Sequence, residues 1–210
     1  MLQKIPFRDK ISYGYSLARV LAFTAEQLSL PVVEFLTTGK TKKKIDPRRF
    51  HKAHTELLKL LKKDSENIAQ GYYPLEVLKP EKVGRHLRRY PKILLDGYFI
   101  SKRRDKKKSA DFDKEAQKYL KDLPEYYQRN FHFQSGGYLT KKSADLYEHQ
   151  VEILFSGAAD AMRRLVIPLL KEKIPGDGEG LRFLEVGAGT GRLSRFMKLA
   201  YPKARIALLD

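Results

Sequence analysis

Through most of this chain, apolar residues recur at steps of three and four, and only near the end do they contract into short strand-like runs. Leu17, Val20, Leu21, Leu28, Val32, Val33 and Leu36 follow helical spacing and predict a helix from Tyr13 to about Leu36, divided at Pro31. Gly39 and the lysines after it read as a loop. Ala53, Leu57, Leu58, Leu60 and Leu61 then predict a second helix over Phe50 to Ile68, stopping near Gly71, with its lysines on the wet face. Residues 72–91 carry Pro74, Pro80, Gly84 and Pro91 and favour no single element, and Ile93 to Ile100 fits a helix or a short strand. Asp111 to Leu123 predicts a modest helix closed by Pro124. Ser143 is a candidate cap for a helix with apolar positions Leu146, Tyr147, Val151, Leu154, Phe155, Ala158, Met162 and Leu165, and Pro168 should kink it or open a fresh turn.

The pattern changes at Pro175-Gly176-Asp177-Gly178-Glu179-Gly180, a run of turn formers that marks a boundary. Beyond it, Leu181 to Val186 reads as a strand, Arg192 to Ala200 as a helix with Leu193, Phe196, Met197 and Ala200 on one face, and Arg205 to Leu209 as a second strand. The expected organisation is a mainly α-helical N-terminal or cap region over 1–174 and a linker over 175–180. An incomplete β-α-β start of a doubly wound α/β Rossmann-like domain follows over 181–210. Two parallel strands make a poor autonomous sheet, so this unit reads as the beginning of a domain that needs further strands.

Composition narrows the class. Hydrophobic residues make up 42% of the chain, enough for a core, and the absence of cysteine excludes disulfides and thiolate metal sites. No run reaches the roughly 20 apolar residues of a membrane span, and the N-terminus lacks a signal-peptide pattern, so a soluble, cytoplasmic protein is expected. The formal charge of +17 is concentrated in three clusters: Lys40 to Lys44 with Arg48 and Arg49; Arg85, Arg88 and Arg89; and Lys102 to Lys108. Such charge attracts anions, including an anionic small molecule or a peripheral anionic membrane surface. No recognisable RNA-binding module accompanies it, which makes nucleic acid an unfavoured partner.

The chemistry is concentrated in Phe183-Leu184-Glu185-Val186-Gly187-Ala188-Gly189-Thr190-Gly191-Arg192. Alternating glycines between a strand and a helix let backbone amides approach a ligand closely. A phosphate loop would end in Gly-Lys-Ser/Thr, and Gly191-Arg192-Leu193 excludes it. The dinucleotide fingerprint fits two glycines and meets Arg192 at its third, which keeps a dinucleotide-dependent oxidoreductase fragment open as an alternative. An acidic residue two positions before G-x-G-x-G resembles the first motif of class I S-adenosylmethionine-dependent methyltransferases. The motif spans about 30 of the 210 residues. Residues 130–164 also resemble a lead-in found in methyltransferases of photosynthetic organisms.

The resemblance implies S-adenosyl-L-methionine as cofactor and methyl transfer, to a small-molecule acceptor. It implies that Glu185 anchors the loop and the methionyl end, and that Gly187, Ala188, Gly189 and Gly191 form the close backbone surface. It further implies that Asp210, after the second strand, accepts the ribose hydroxyls, a task that suits two carboxylate oxygens. A non-catalytic basic helical interaction module with a vestigial nucleotide loop stays open beside this reading.

Methyl transfer is an in-line displacement driven largely by positioning, with a base where the acceptor must lose a proton. His132 is a candidate catalytic residue because it lies among Tyr126, Tyr127, Phe131, Phe133 and Gln134 near Gly136-Gly137, in a stretch whose mixture of aromatic and polar groups suits a cleft wall. Tyr138 is the second, able to cover a cofactor with its ring. Packing within a core is the alternative for both. His149, between Glu148 and Glu152, reads as a surface residue. Arg163 and Arg164 fit stabilisation of a helix C-terminus or, for one of them, contact with the cofactor carboxylate or an anionic acceptor. The five histidines show no zinc-like local spacing, so no metal is expected.

Overall fold

The computed structural model describes residues 7–39, 46–80, 83–105, 112–129, 136–137 and 139–210. Among the described residues the chain is mostly helical, with two short parallel strands. The helices are α1 (Arg8–Thr38), α2 (Pro47–Ala69), α3 (Val83–Asp105), α4 (Lys114–Gln117), α5 (Lys141–Leu154), α6 (Ala159–Arg164), α7 (Val166–Lys173) and α8 (Arg192–Ala200). The strands are β1 (Arg182–Val186) and β2 (Arg205–Leu209), and short 3-10 turns occupy Leu75–Leu78, Leu120–Asp122 and Glu125–Tyr127. Among the described residues, no helix is long and apolar enough to cross a membrane.

Local sequence accounts for several element ends. Asp46 accepts from Arg48 N–H at the start of α2, Pro47 occupies the first turn, and Gly71, at φ +77°, closes the helix. Tyr72 N–H donates to Asn67 C=O and Gly71 N–H to Ile68 C=O, the pair of bonds that a left-handed C′ glycine makes available. Three expectations are corrected. Pro31 does not divide α1, and Pro91 likewise lies inside α3; one missing N–H costs a long helix a single hydrogen bond that its neighbours can outweigh. The α5 cap is Thr140, whose Oγ1 accepts from Ser143 N–H at 3.2 Å, so Ser143 is already in the first turn.

The third correction concerns residues 146–165, which do not form one helix. Ser156 and Gly157 take φ of +50° and +79° and separate α5 from α6. A Cβ at Gly157 would stand 2.8 Å from Phe23 Cδ2 and 3.1 Å from Arg19 C=O, so glycine permits close approach as well as the left-handed backbone. Pro168 falls in the first turn of α7, where its missing N–H is tolerated.

The chain divides into two compact units. The first comprises residues 7–24, 46–80 and 155–210 of those described. Its core joins Ile68, Tyr73, Val77 and Ile167 to Phe196, Met197, Ala200, Tyr201 and Ala204. Phe196 and Ile167 are wholly buried, worth about 1.5–3 kcal/mol each in transfer free energy. A second cluster packs Val20 of α1, Leu61 of α2 and Ala158 and Ala161 around α6. β1 and β2 pair in parallel with Phe183 opposite Ile206 and Val186 opposite Leu209. Phe183 and Ile206 pack into the core with α8, whereas Leu184 and Val186 remain 63% and 71% exposed.

The second unit comprises residues 25–39, 83–105, 112–129, 136–137 and 139–154 of those described. Here directional polar contacts join the helices. Tyr90 and Ser29 hydroxyls meet at 2.5 Å, Arg89 donates to Asp145 at 2.8 Å, and Gln150 donates to Asp96 at 3.3 Å. The stretch Ile93 to Ile100 is helical, within α3. The helix expected over Asp111 to Leu123 is reduced to α4 and a 3-10 turn, with Asp113 capping α4 by accepting from Ala116 N–H.

Candidate functional site

The glycine turn lies at the C-terminal ends of β1 and β2. Gly187 and Ala188 N–H both donate to Leu209 C=O, at 2.7 and 3.1 Å, which carries the strand pairing into the turn. Gly189 N–H donates to Asp210 Oδ1 at 2.8 Å, joining the middle of the turn to the acidic residue after β2. Gly191 N–H returns to Ala188 C=O, and Gly191 forms the N-cap of α8. Gly187, Gly189 and Gly191 have φ of +71°, +53° and +69°, a region that favours glycine.

Space separates their roles. A Cβ at Gly191 would lie 3.0 Å from Leu208 Cδ2, so packing alone favours a small residue there. At Gly187 and Gly189 a Cβ would meet nothing within 4 Å. Those two positions border open space that the unit itself does not fill. Glu185 accepts a short hydrogen bond from Ser194 Oγ, which ties the end of β1 to the first turn of α8.

Beneath this helix start lies a network of aspartates and arginines that also belongs to the first unit. Arg192, the first residue of α8, forks onto both oxygens of Asp160, with Nε 2.9 Å from Oδ1. Arg163 and Arg19 approach the same carboxylate at 3.2 and 3.6 Å. Burial pushes the Asp160 carboxyl up, and the hydrogen bond and charge of Arg192, with Arg19 and Arg164, overcome it and hold the group well below the ordinary range. Arg164 forks onto Asp64 at 3.0 and 2.6 Å, with Tyr73 Oη donating to Asp64 Oδ1 at 2.6 Å. Burial, then the Asp64 charge, raise the Tyr73 phenol far above its usual value. The Phe196 ring carries both guanidinium groups, Arg164 at 5.0 Å and Arg192 at 5.5 Å from its centroid. The start of α8 is thereby charge-paired to α6, and α6 is in turn paired to Arg19 of α1 and Asp64 of α2.

Glu185, Gly187, Ala188, Gly189, Gly191 and Asp210 therefore come together in one turn and its flanks. His132 and Tyr138, the acceptor-side candidates, lie outside the described residues, as do Phe131, Phe133 and Gln134, whereas Tyr126 and Tyr127 are exposed. Gly136 and Gly137 are buried, and a Cβ at Gly136 would collide with Ser143 Oγ and Thr140 Oγ1, so this pair is tightly packed. His149 is not the surface residue its neighbours implied: it is 4% exposed, and its Nε2 lies 2.7 Å from Glu26 Oε2. Arg163 and Arg164 do stand in the last turn of α6, and Arg164 is in addition buried on Asp64. Of the second basic cluster, Arg89 turns inward to Asp145, whose carboxyl it holds below the ordinary range, chiefly through that hydrogen bond.

Asp64, Asp160, Tyr73 and Ser194 were not singled out by motif. A signal existed for Asp64: in a chain of charge +17 it lies three residues after Leu61 and four before Ile68, on the apolar face of α2. A carboxylate in that position requires a buried partner. No family model matches the chain, and no curated protein and no solved structure does.

Proposed function

We propose that this chain carries the helical cap and the first cofactor-binding motif of a class I S-adenosylmethionine-dependent methyltransferase acting on a small-molecule acceptor. The observation that carries the reading is the hydrogen bond from Gly189 N–H to Asp210, which unites an open glycine turn and a carboxylate at the C-terminal ends of two parallel strands. In open α/β sheets ligands bind at that end. Gly187 and Gly189 border vacant space, and the Asp210 oxygens suit a pair of ribose hydroxyls. The exposed Leu184, Val186 and Leu209 support the companion reading that further strands and helices complete a Rossmann-like domain on this sheet.

S-adenosyl-L-methionine, held by Glu185, the glycine turn and Asp210, would supply an electrophilic methyl group to the acceptor's lone pair, its thioether being the leaving group. An acceptor that carries a proton surrenders it to a base, and His132 and Tyr138 are the groups proposed for the acceptor side. The chain's +17 charge favours an anionic acceptor.

Calorimetric titration of S-adenosylmethionine, its demethylated product and NAD into the longest natural product containing this sequence tests the reading. Binding of the first two, weakened roughly ten- to hundredfold by Asp210→Asn, is expected, since each hydrogen bond to a charged group is worth about 1.5–3 kcal/mol. Binding of NAD alone would replace the reading with a dinucleotide enzyme. Binding of none would favour the basic interaction module.

A further inference from the structure

The second unit holds a cluster that the methyl-transfer reading does not use. Glu26 on α1, His86 on α3 and His149 on α5 bring a carboxylate and two imidazoles together, with ligand-capable atoms all within 4.8 Å of one another. His86 Nε2 is 2.6 Å from Glu26 Oε1, and His149 Nε2 is 2.7 Å from Glu26 Oε2. Both rings thus address a single carboxylate through the same nitrogen, one ring to each oxygen. The imidazoles stack, with centroids 4.0 Å apart and planes inclined by 21°.

We propose that Glu26, His86 and His149 form a binding site for a first-row divalent metal ion of the zinc or cobalt type. Two imidazole nitrogens and a carboxylate oxygen are the donor set that such ions favour, and three protein ligands leave a position for water or an exogenous ligand. The donors come from three helices and are separated in sequence by 60 and 123 residues, so this is a product of tertiary packing instead of a local run of charges. Imidazole binds a metal ion in its neutral form, so two neutral rings and one carboxylate would present a single negative charge to the dication, with Nε2 of each ring as the donor.

Geometry requires a modest opening. Metal–ligand bonds of about 2.0–2.2 Å at tetrahedral angles separate neighbouring donor atoms by roughly 3.4 Å, so each nitrogen–oxygen contact must lengthen by about 0.7 Å. The His86 side chain, 34% exposed, forms the outer edge of the cluster, whereas the His149 side chain is 2% exposed and fixes the inner wall. Tyr90 supports that wall, its ring stacked 6.4 Å from His149 and its hydroxyl on Ser29.

The test is titration of zinc, and of cobalt with its visible absorption, into the untagged, chelator-stripped full chain. One ion per chain is expected, with a melting temperature that rises with metal concentration. His86→Ala, at a partly exposed position, should retain the helical circular-dichroism spectrum and lose more than about tenfold in affinity, as should Glu26→Gln. His51→Ala combined with His54→Ala removes the exposed histidine pair on α2 and should change nothing. Absence of stoichiometric binding, or binding lost in the α2 double variant and kept in His86→Ala, would overturn the proposal. The cofactor titration reads the glycine turn, so either reading can fail without the other.

Discussion

The two units solve the problem of joining helices in opposite ways. In the first, apolar side chains from α2, α7 and α8 meet in a continuous core, and the buried charges beneath α8 are paired aspartates and arginines. In the second, Glu26, Ser29, Arg89 and Asp145 occupy interhelical positions, while Leu28, Val32 and Leu36 of α1 and Leu87 and Leu95 of α3 are more than half exposed. Non-directional burial holds the glycine turn on a rigid support. Directional contacts register helices whose apolar positions face outward, and a cluster of metal-ligand type arises among them.

The largest expected loss is in the first unit. Asp64→Ala leaves the buried Arg164 without its counter-charge and should cost about 3–5 kcal/mol, measured by denaturant unfolding. The loss should be smaller in Asp64→Ala combined with Arg164→Met, where no orphan charge remains; equal losses would remove the paired-charge account of this unit.

Acid provides a graded version of the same test. The Asp160 carboxyl titrates lower in the folded chain than in the unfolded one, so its contribution is complete above the unfolded value of about 3.9 and disappears as pH falls through the folded value. Unfolding followed at pH 5, 4 and 3 should therefore show the gap between wild type and Asp160→Asn narrowing with acidity. A constant gap would contradict the role given to Arg192.

Backbone packing gives the next effect. Gly178, at φ +88°, would bring a Cβ within 2.8 Å of Ala204 Cβ and 3.0 Å of Ala204 N, and Gly178→Ala should destabilise by about 1–3 kcal/mol. Gly189→Ala, with open space around it, should cost about 1–2 kcal/mol from its left-handed backbone alone. Thermal melts of the two variants separate a packing glycine from one that faces vacant space. The smallest effect belongs to the second unit: Arg89→Ala breaks a pair whose aspartate is 41% exposed and should cost about 1 kcal/mol or less beyond lost side-chain packing.

What could be read from the sequence was local. The strand, glycine turn, helix and second strand over 181–210 lie within a few residues of their stated limits, because periodicity and glycine spacing act over short distances. The end of α2 was equally legible at Gly71. Pro31 and Pro91 misled because a proline penalty is small beside the cooperativity of helices of 31 and 23 residues. The break after α5 escaped notice because Ser156 takes a positive φ that its type rarely favours, and the apolar spacing continues across it. His149 was placed by its sequence neighbours, but its environment is made by Glu26, 123 residues away. Such pairings follow from tertiary packing and leave no periodic trace.

The central claim is that the glycine turn is a cofactor surface. Nitrogen-15 correlation spectra recorded during titration with S-adenosylmethionine address it most directly, because the amides of Gly187, Gly189 and Gly191 report on the turn itself. The account predicts saturable shifts of the Gly189 amide, as its bond to Asp210 is rearranged, with neighbouring glycines following. Saturation of the protein with ligand while these three amides stay unmoved would contradict it.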